Sequence, residues 1–422
     1  MADPTEHLDD LAAFLTAAPS SYHAAAEVAR RLDAAGFSRL AEDAEWEVTG
    51  RRYVVRDGAV VAWVLPPAAG PSTPYRIVGA HTDSPGFKLK PKPTIGGHGW
   101  LQAGVEVYGG PLLNSWLDRE LELAGRLVTI DGTEHLVRTG PFLRIPQLAI
   151  HLDRQVNDGL VLDKQRHTAP VFGVGEAARA DLVGHLAGLA GLTGADIAGY
   201  DVLTADTAAP ARFGLDRALF AAGRMDNLVS VHAGVVALLA APEDADHVSV
   251  LAAFDHEELG SASRSGASGP MLDDVLTRVG AGLGATTSQR MRAYAGSWCV
   301  SADAGHAVHP NYPERHDPAN RPVPGGGPLL KLNANQRYAT DALGAALWGR
   351  CCAAAGVPFQ EFVSSNAIPC GSTIGPLTAT RLGIRVVDVG PALLSMHSAR
   401  ELCHADDPAM LASALDTFYA GA

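Results

Sequence analysis

The sequence predicts an α/β protein: a layered sheet-and-helix domain interrupted by an inserted, mainly β domain. Three observations carry this. Strand and helix patterns alternate near both ends of the 422 residues. The middle, Thr94–Arg212, is instead rich in Gly and Pro and carries β-type patches. Hydrophobic residues make up 47% and charged residues 19%, an ordinary globular composition at a length that usually divides into about two or three domains.

In chain order, Ser20 and Ser21 can cap a helix from Tyr22, with Ala24, Val28 and Leu32 on one face and Gly36 as a stop. Tyr53–Val55 and Val60–Leu65 flank Asp57-Gly58, a hairpin signal. Arg76–Ala80 reads as a short buried strand ending at His81. In the middle, Val105–Tyr108, Arg126–Ile130 and Leu136–Val137 are strand candidates. Asp226–Ala241 then reads as a helix and Val248–Phe254 as a strand. Trp298–Ala302 and Ile384–Val389 are further strands, and Ala339–Ala355 and Pro408–Ala420 further helices. The expected division is a layered domain from 1–91 and 213–422, with 92–212 inserted. Pro324-Gly325-Gly326-Gly327-Pro328 lacks the Lys-Ser/Thr of a phosphate loop and reads as a turn.

The 33 basic and 46 acidic residues leave a formal charge of −13, which repels phosphate backbones and argues against nucleic-acid binding. The opening MADPTEHLDD is acidic and has no apolar core, so no signal peptide is expected. Apolar stretches such as Leu228–Pro242 are broken by Ser230 and His232 and are too short for a bilayer, which needs about 20 residues. Cys299, Cys351, Cys352, Cys370 and Cys403 are an odd, scattered set without metal-finger spacing, which fits reduced thiols in the cytoplasm.

Acids and imidazoles recur at the ends of apolar strands, where open α/β sheets place their ligands. His81 and Asp83 follow one strand. Asp255, His256, Glu257 and Glu258 follow another, Asp303 and His306 a third. Asp388 leads toward His397, and Asp226 opens a helix. Each taken alone reads as a cap or a solvated edge. Together they are harder to explain that way, because Asp255 through Glu258 would repel one another beside an apolar strand unless a cation intervened. Two imidazoles with several carboxylates suit Zn²⁺ or a similar ion rather than a thiolate site. Glu257 and Glu258 can divide the work of base and ligand. Asp83, two residues beyond His81 on an extended strand, can accept the other imidazole N–H. His306, His309 and His316 lack a helix to align them and read as loop histidines. Cys370 has no histidine placed with it for nucleophilic catalysis. The Gly371-Ser372-Thr373 turn beside it offers backbone N–H groups to a carbonyl or carboxylate.

Long segments with unusual residue combinations now carry a resemblance. They include GAHTDSPGFKLKP, GVEVYGGPLLNSWLDRELELAGR, RIPQLAIHLDR, GRMDNLVS, HEELGS, SADAGHAVHPNYPERH, GPLLKLNANQRYATD, PCGSTIGP and SMHSARE. Over nearly its full length the chain resembles the M18 metalloaminopeptidases, the aspartyl aminopeptidases. The resemblance implies two Zn²⁺ per subunit, replaceable by Mn²⁺ or Co²⁺. His81, Glu258, Asp303 and His397 would be terminal ligands and Asp226 the bridge. Glu257 would be the general base and Asp83 the residue orienting His81; His256 is given no role. Lys331 would face an acidic side chain at the peptide N-terminus, and Gly371 and Ser372 would line the substrate site. His151 would reach a neighbouring subunit's active site, although its own apolar surroundings read as those of a core histidine. The implied partners are peptide substrates and other copies of the chain, through dimers made by the insert and a tetrahedral dodecamer. Two alternatives stay open: a two-metal deacylase or carboxypeptidase, and a catalytically idle, self-assembling shell protein.

Overall fold

The computed structural model describes residues 3–422; the first two residues of the MADPTEHLDD segment lie outside them. Its centre is a nine-stranded sheet. Four neighbouring strands at the middle run parallel: Val248–Phe254, Tyr75–His81, Trp298–Ala302 and Arg385–Gly390. They are buried on both faces almost throughout, which is why they read as largely apolar runs, interrupted by Arg76 and Asp388, rather than as alternating ones. On one side the sheet continues antiparallel through Ala59–Leu65 to Gly50–Arg56, joined by a turn in which Asp57 has φ 55°. On the other it ends with Leu329–Leu332 and Gln360–Val363.

Strand alternation divides the core into two layers. Val60, Ala62, Val78, Ala80, Leu251 and Ala253 point to one side, against the helices Pro4–Ala17, Ser21–Ala34, Met225–Ala240, Ala342–Ala355 and Asp407–Tyr419. Val61, Trp63, Ile77, Val250 and Ala252 point to the other, against Met271–Gly282, Thr287–Gly296 and Ile374–Leu382. The Met225–Ala240 helix is buried around nearly its whole circumference, as expected of a segment that is apolar on all sides apart from Asp226, Asn227, Ser230 and His232.

Between the His81 strand and the Asp226 helix lies a separate six-stranded sheet. Its order is Glu134–Arg138, Leu121–Thr129, Ile197–Asp206, Gly86–Gly97, Trp100–Tyr108 and Val171–Val174, with antiparallel neighbours throughout. It has its own core, including Phe87, Leu123 and Val202, closed by the Leu182–Leu189 helix. Leu148, Ile150, Leu152 and Val161 are left exposed on its long connection.

Most of the expected elements form within a residue or two of their sequence signals. Ser20 caps the helix that begins at Ser21. The helix expected from Ala339 begins instead at Ala342. The Ala339 N–H donates to buried Asp388 at 2.6 Å, and Asp341 takes the capping position. No helix among the described residues is long and apolar enough to cross a membrane.

The parallel register sets the site. Phe254 pairs with His81 and Ser301 with Gly79, so residues just after each strand emerge at one level. Gly390 tightens this edge, because a Cβ there would collide with the Asp303 carbonyl. Gly390→Ala should cost about 1–3 kcal/mol through overpacking and displace Asp303. Thermal unfolding should show a lower midpoint, and retained zinc should fall; an unchanged midpoint would remove the constraint.

Candidate metal centre

Five elements deliver the site. His81 is the last residue of its strand and 1% exposed. Its Nδ1 lies 3.0 Å from the Asp83 backbone carbonyl, an obligatory acceptor, so an Nδ1 proton goes there and Nε2 faces the acids of the cluster. His397 sits in a turn with φ 65°, and its Nδ1 lies 3.0 Å from the Gly110 carbonyl. The two free Nε2 atoms converge on Asp226. His81 Nε2 is 3.4 Å from Asp226 Oδ1 and 3.7 Å from Asp303 Oδ1. His397 Nε2 is 3.4 Å from Asp226 Oδ2 and 3.4 Å from Glu258 Oε2. Asp226 therefore turns one oxygen toward each imidazole.

These separations fit cations. Zinc bonds of about 2.0–2.1 Å at a tetrahedral angle put neighbouring ligand atoms about 3.3–3.4 Å apart. The ligand atoms of His81, Asp226 and Asp303 lie within 4.8 Å of one another, as do those of Asp226, Glu258 and His397. A third such group is His81, Glu257 and Glu258. Asp226 Oδ1 and Glu258 Oε1 are buried without hydrogen-bond partners, which is costly unless a cation takes their lone pairs. The donor set of imidazoles and carboxylates suits zinc.

Asp83 differs from the sequence expectation. The imidazole N–H goes to its backbone carbonyl, and its carboxylate lies farther off, Oδ1 at 3.4 Å. That carboxylate instead accepts the N–H groups of Glu257 at 3.0 Å and Glu258 at 3.1 Å, and the Tyr108 hydroxyl at 2.9 Å. It thus fixes the turn carrying both glutamates. Asp226 also differs: although it falls within the first turn of its helix, its own backbone is extended, at φ −81° and ψ 103°.

Other residues take supporting places. Asp255, fully buried, accepts the His256 N–H at 2.9 Å, and His256 Nδ1 lies 2.9 Å from the Ser263 hydroxyl. Lys331 is 1% exposed on the Leu329–Leu332 strand. Its Nζ donates to the Ala304 carbonyl at 2.8 Å and stands 5.3 Å from the Tyr338 ring centre. Tyr338, His306, His309, His316 and Gly371 line a cavity of about 330 Å³. His309 and His316 lie in a loop and bond to each other, as expected of loop histidines. The Ser372 hydroxyl is turned to the Arg337 carbonyl at 3.2 Å. His151 is not a core histidine on a strand: it lies exposed on a turn, and none of the metal-ligating groups includes it. The sequence reading missed Tyr108, Gly110 and Glu401. Glu401 accepts the Asp226 N–H and the His397 N–H, both at 2.9 Å.

The charges are strongly coupled. Burial pushes the Glu257 carboxyl up to about 7, aided by Asp303, Asp83 and Asp226 and opposed by His81. Burial opposes charge on His81 and His397, yet the surrounding carboxylates win. Asp226, Asp303 and Asp83 raise His81 well above the usual range, and Asp226 and Glu258 hold His397 up to about 10. Without a cation the imidazoles keep protons that a metal must displace. Zinc affinity should therefore rise with pH through the neutral range, as the protons held by His81 and His397 become easier to displace. Calorimetric titrations in buffers of different ionisation heat would measure the released protons. A pH-independent affinity would contradict this charge state.

Comparison with known proteins gives a concordant result. The family described as Aminopeptidase I zinc metalloprotease (M18) matches residues 14–419. A probable M18 family aminopeptidase 2 from Streptomyces avermitilis is 56% identical over 422 residues, covering 98% of each chain. One of the same description from Mycobacterium leprae is 45% identical, covering 97% of each. Among solved structures, an M18 family aminopeptidase from Thermotoga maritima superposes with a TM-score of 0.88 at 26% identity, over 99% of this chain and 96% of that one. The S. cerevisiae mApe1 dodecamer gives 0.86 at 28% identity, over 98% and 96%. The chain belongs to the M18 family of zinc aminopeptidases and is a hydrolase.

Proposed function

We propose that the chain removes N-terminal residues, preferentially Asp or Glu, from peptides by a two-metal mechanism. The observation that supports it most is the disposition of Asp226, one oxygen toward each imidazole at 3.4 Å. In this reading His81 and Asp303 would hold one zinc ion and Glu258 and His397 the other, with Asp226 available to both. Mn²⁺ or Co²⁺ would serve in their place. Two ions bound there would acidify a shared water and stabilise charge on the attacked carbonyl oxygen.

Glu257 is the general base. It takes the proton from the attacking water as the new C–O bond forms. It then returns that proton to the amide nitrogen as the C–N bond breaks. Its buried place beside the cluster supports this, and in the cation-free site burial raises its carboxyl to about 7. Asp83 positions Glu257 through the backbone N–H and fixes the neighbouring ligand Glu258 the same way. His81 is oriented by the Asp83 carbonyl.

Lys331 supplies the acidic preference. It is a buried cation whose contacts are a carbonyl and an aromatic ring, which leaves its charge for a substrate carboxylate. The Gly371-Ser372 turn forms another part of the substrate wall. The segment 92–212 acts as the dimerisation domain, with its exposed Leu148, Ile150, Leu152 and Val161 covered by a second copy. His151 on that segment then approaches the partner's active site. Dimers assemble further into a tetrahedral dodecamer in the cytoplasm. The mApe1 relative is a dodecamer, which supports this.

Glu257→Gln should retain zinc and the fold but lose roughly a hundred- to ten-thousandfold in kcat. Normal turnover would refute the base assignment. Chelated enzyme refilled separately with Zn²⁺, Mn²⁺ and Co²⁺ should cleave chromogenic aminoacyl substrates with N-terminal Glu or Asp best. Lys331→Met should reduce kcat/KM on those substrates far more than on neutral ones. Equal losses on both would remove Lys331 from the specificity site. Hydrolysis of N-acylated substrates alone would support the deacylase alternative.

A further inference from the structure

We propose that Glu401 is a positioning residue that sets the spacing of Asp226 and His397, and that its purpose is metal affinity rather than folding. The inference rests on the reading of those two residues as metal ligands.

Glu401 begins the Glu401–His404 strand, which runs antiparallel to Leu219–Ala222. Glu401 pairs there with Ala222, four residues before Asp226, so the ladder brings it beneath the start of the Asp226 helix. Its two carboxylate oxygens are used separately. Oε2 accepts the Asp226 N–H and Oε1 the His397 N–H, both at 2.9 Å. Neither N–H belongs to regular structure. Asp226 has extended backbone angles, and His397 has φ 65°. One side chain therefore ties together the backbones of two residues that are 171 apart in sequence (397 − 226).

The choice of residue is expensive on stability grounds. Glu401 is 2% exposed and forms no ion pair among the described residues. The nearby Arg224 does not neutralise it directly, because its guanidinium donates to the Ala18 and Leu15 carbonyls at 3.1 and 3.0 Å. A buried carboxyl group without a cationic partner is disfavoured, whether it keeps its charge or is driven to take a proton. Its hydrogen bonds go to the backbones of two ligands and to no other group in the described residues. Such departures from the cheaper solution concentrate at functional sites. Groups that orient ligands in this way typically change metal affinity by about 10–100-fold when altered.

The test uses Glu401→Gln and Glu401→Asp in the full-length, assembled protein. Gln keeps the shape but turns an N–H₂ toward one of the two N–H donors. Asp is one methylene too short to reach both. Expected are chelated proteins that unfold no lower than wild type, and Zn²⁺ affinity reduced about 10–100-fold in competition titrations against a chromophoric chelator. Co²⁺ titrations followed by absorption should show the ion on the His397 side released first. Wild-type affinity in the folded variants would overturn the proposal. So would an equal fall of the melting midpoint with and without Zn²⁺, or failure of both chelated variants to fold, since each marks a purely structural part. Asp226→Asn is the separate control: if it binds Zn²⁺ like wild type, the ligand reading fails whatever Glu401 does.

Discussion

Mutual repulsion among buried carboxylates is the constraint on which this structure depends. Asp83, Asp226, Asp303, Glu257 and Glu258 crowd around two imidazoles, and Glu401 lies just behind. Protons on His81 and His397 offset part of that charge, and burial pushes Glu257, Glu258 and Glu401 toward taking protons of their own. Burial raises the remaining cost, because charges in a poorly solvated site are weakly screened. Divalent cations remove the conflict in a way side chains alone do not. The orphaned oxygens of Asp226 and Glu258 mark where that compensation belongs. The cluster is thus a cost without a cation, one that the proposed ions would offset.

The fold bears this cost because the cluster stands at the edge of a very apolar sheet. Apart from Arg76, Arg385 and the buried Asp388, the central strands carry no charged residue, and the acids and imidazoles of the cluster begin where the strands end. Parallel pairing is what makes this possible. It aligns the carboxyl ends of Tyr75–His81, Val248–Phe254 and Trp298–Ala302, so His81, Glu257, Glu258 and Asp303 emerge on one rim. An antiparallel arrangement of the same strands would have sent them to opposite edges. The six-stranded sheet adds to the rim from outside. Tyr108 and Gly110 follow its Trp100–Tyr108 strand and reach back to Asp83 and His397.

What could be read from sequence divides along the same physical line. The buried strands are legible because apolar runs bounded by turns have few other solutions, and the charged residues that follow them stand out against that background. Asp57-Gly58 announces its hairpin through the positive φ that the turn needs. Glu401, Tyr108 and Gly110 leave no such trace. Each acts through one long-range hydrogen bond or two, and the partner's position depends on ladder register that local patterning does not encode. Gly110 is the extreme case, since its backbone carbonyl does the work and any residue supplies one. Asp83 shows the limit within a motif. Its spacing from His81 implied a side-chain contact, yet the backbone carbonyl lies nearer and the carboxylate serves the Glu257-Glu258 turn. For His151 only the local reading is corrected: its apolar neighbours suggest a core strand, but Leu148, Ile150 and Leu152 are exposed.

The backbone around the centre explains how so much charge is held still. Regular secondary structure supplies few of the anchors. His397 and His256 adopt left-handed angles, and Asp226 breaks its helix. Such conformations cost free energy and persist only where surrounding bonds over-determine them. Here carboxylates do so: Asp83 takes the N–H groups of two glutamates, Asp255 that of His256, and Glu401 those of Asp226 and His397. The acids therefore form two sets with different work. One turns its oxygens inward to the cation positions, and the other turns them to the backbone that carries the first. An acid of the second set could be replaced without changing the list of metal ligands, but the angles at which those ligands meet a cation would no longer be fixed. In the proposed centre Asp226 would serve two sides at once, and there such angular control would matter as much as the identity of the donors.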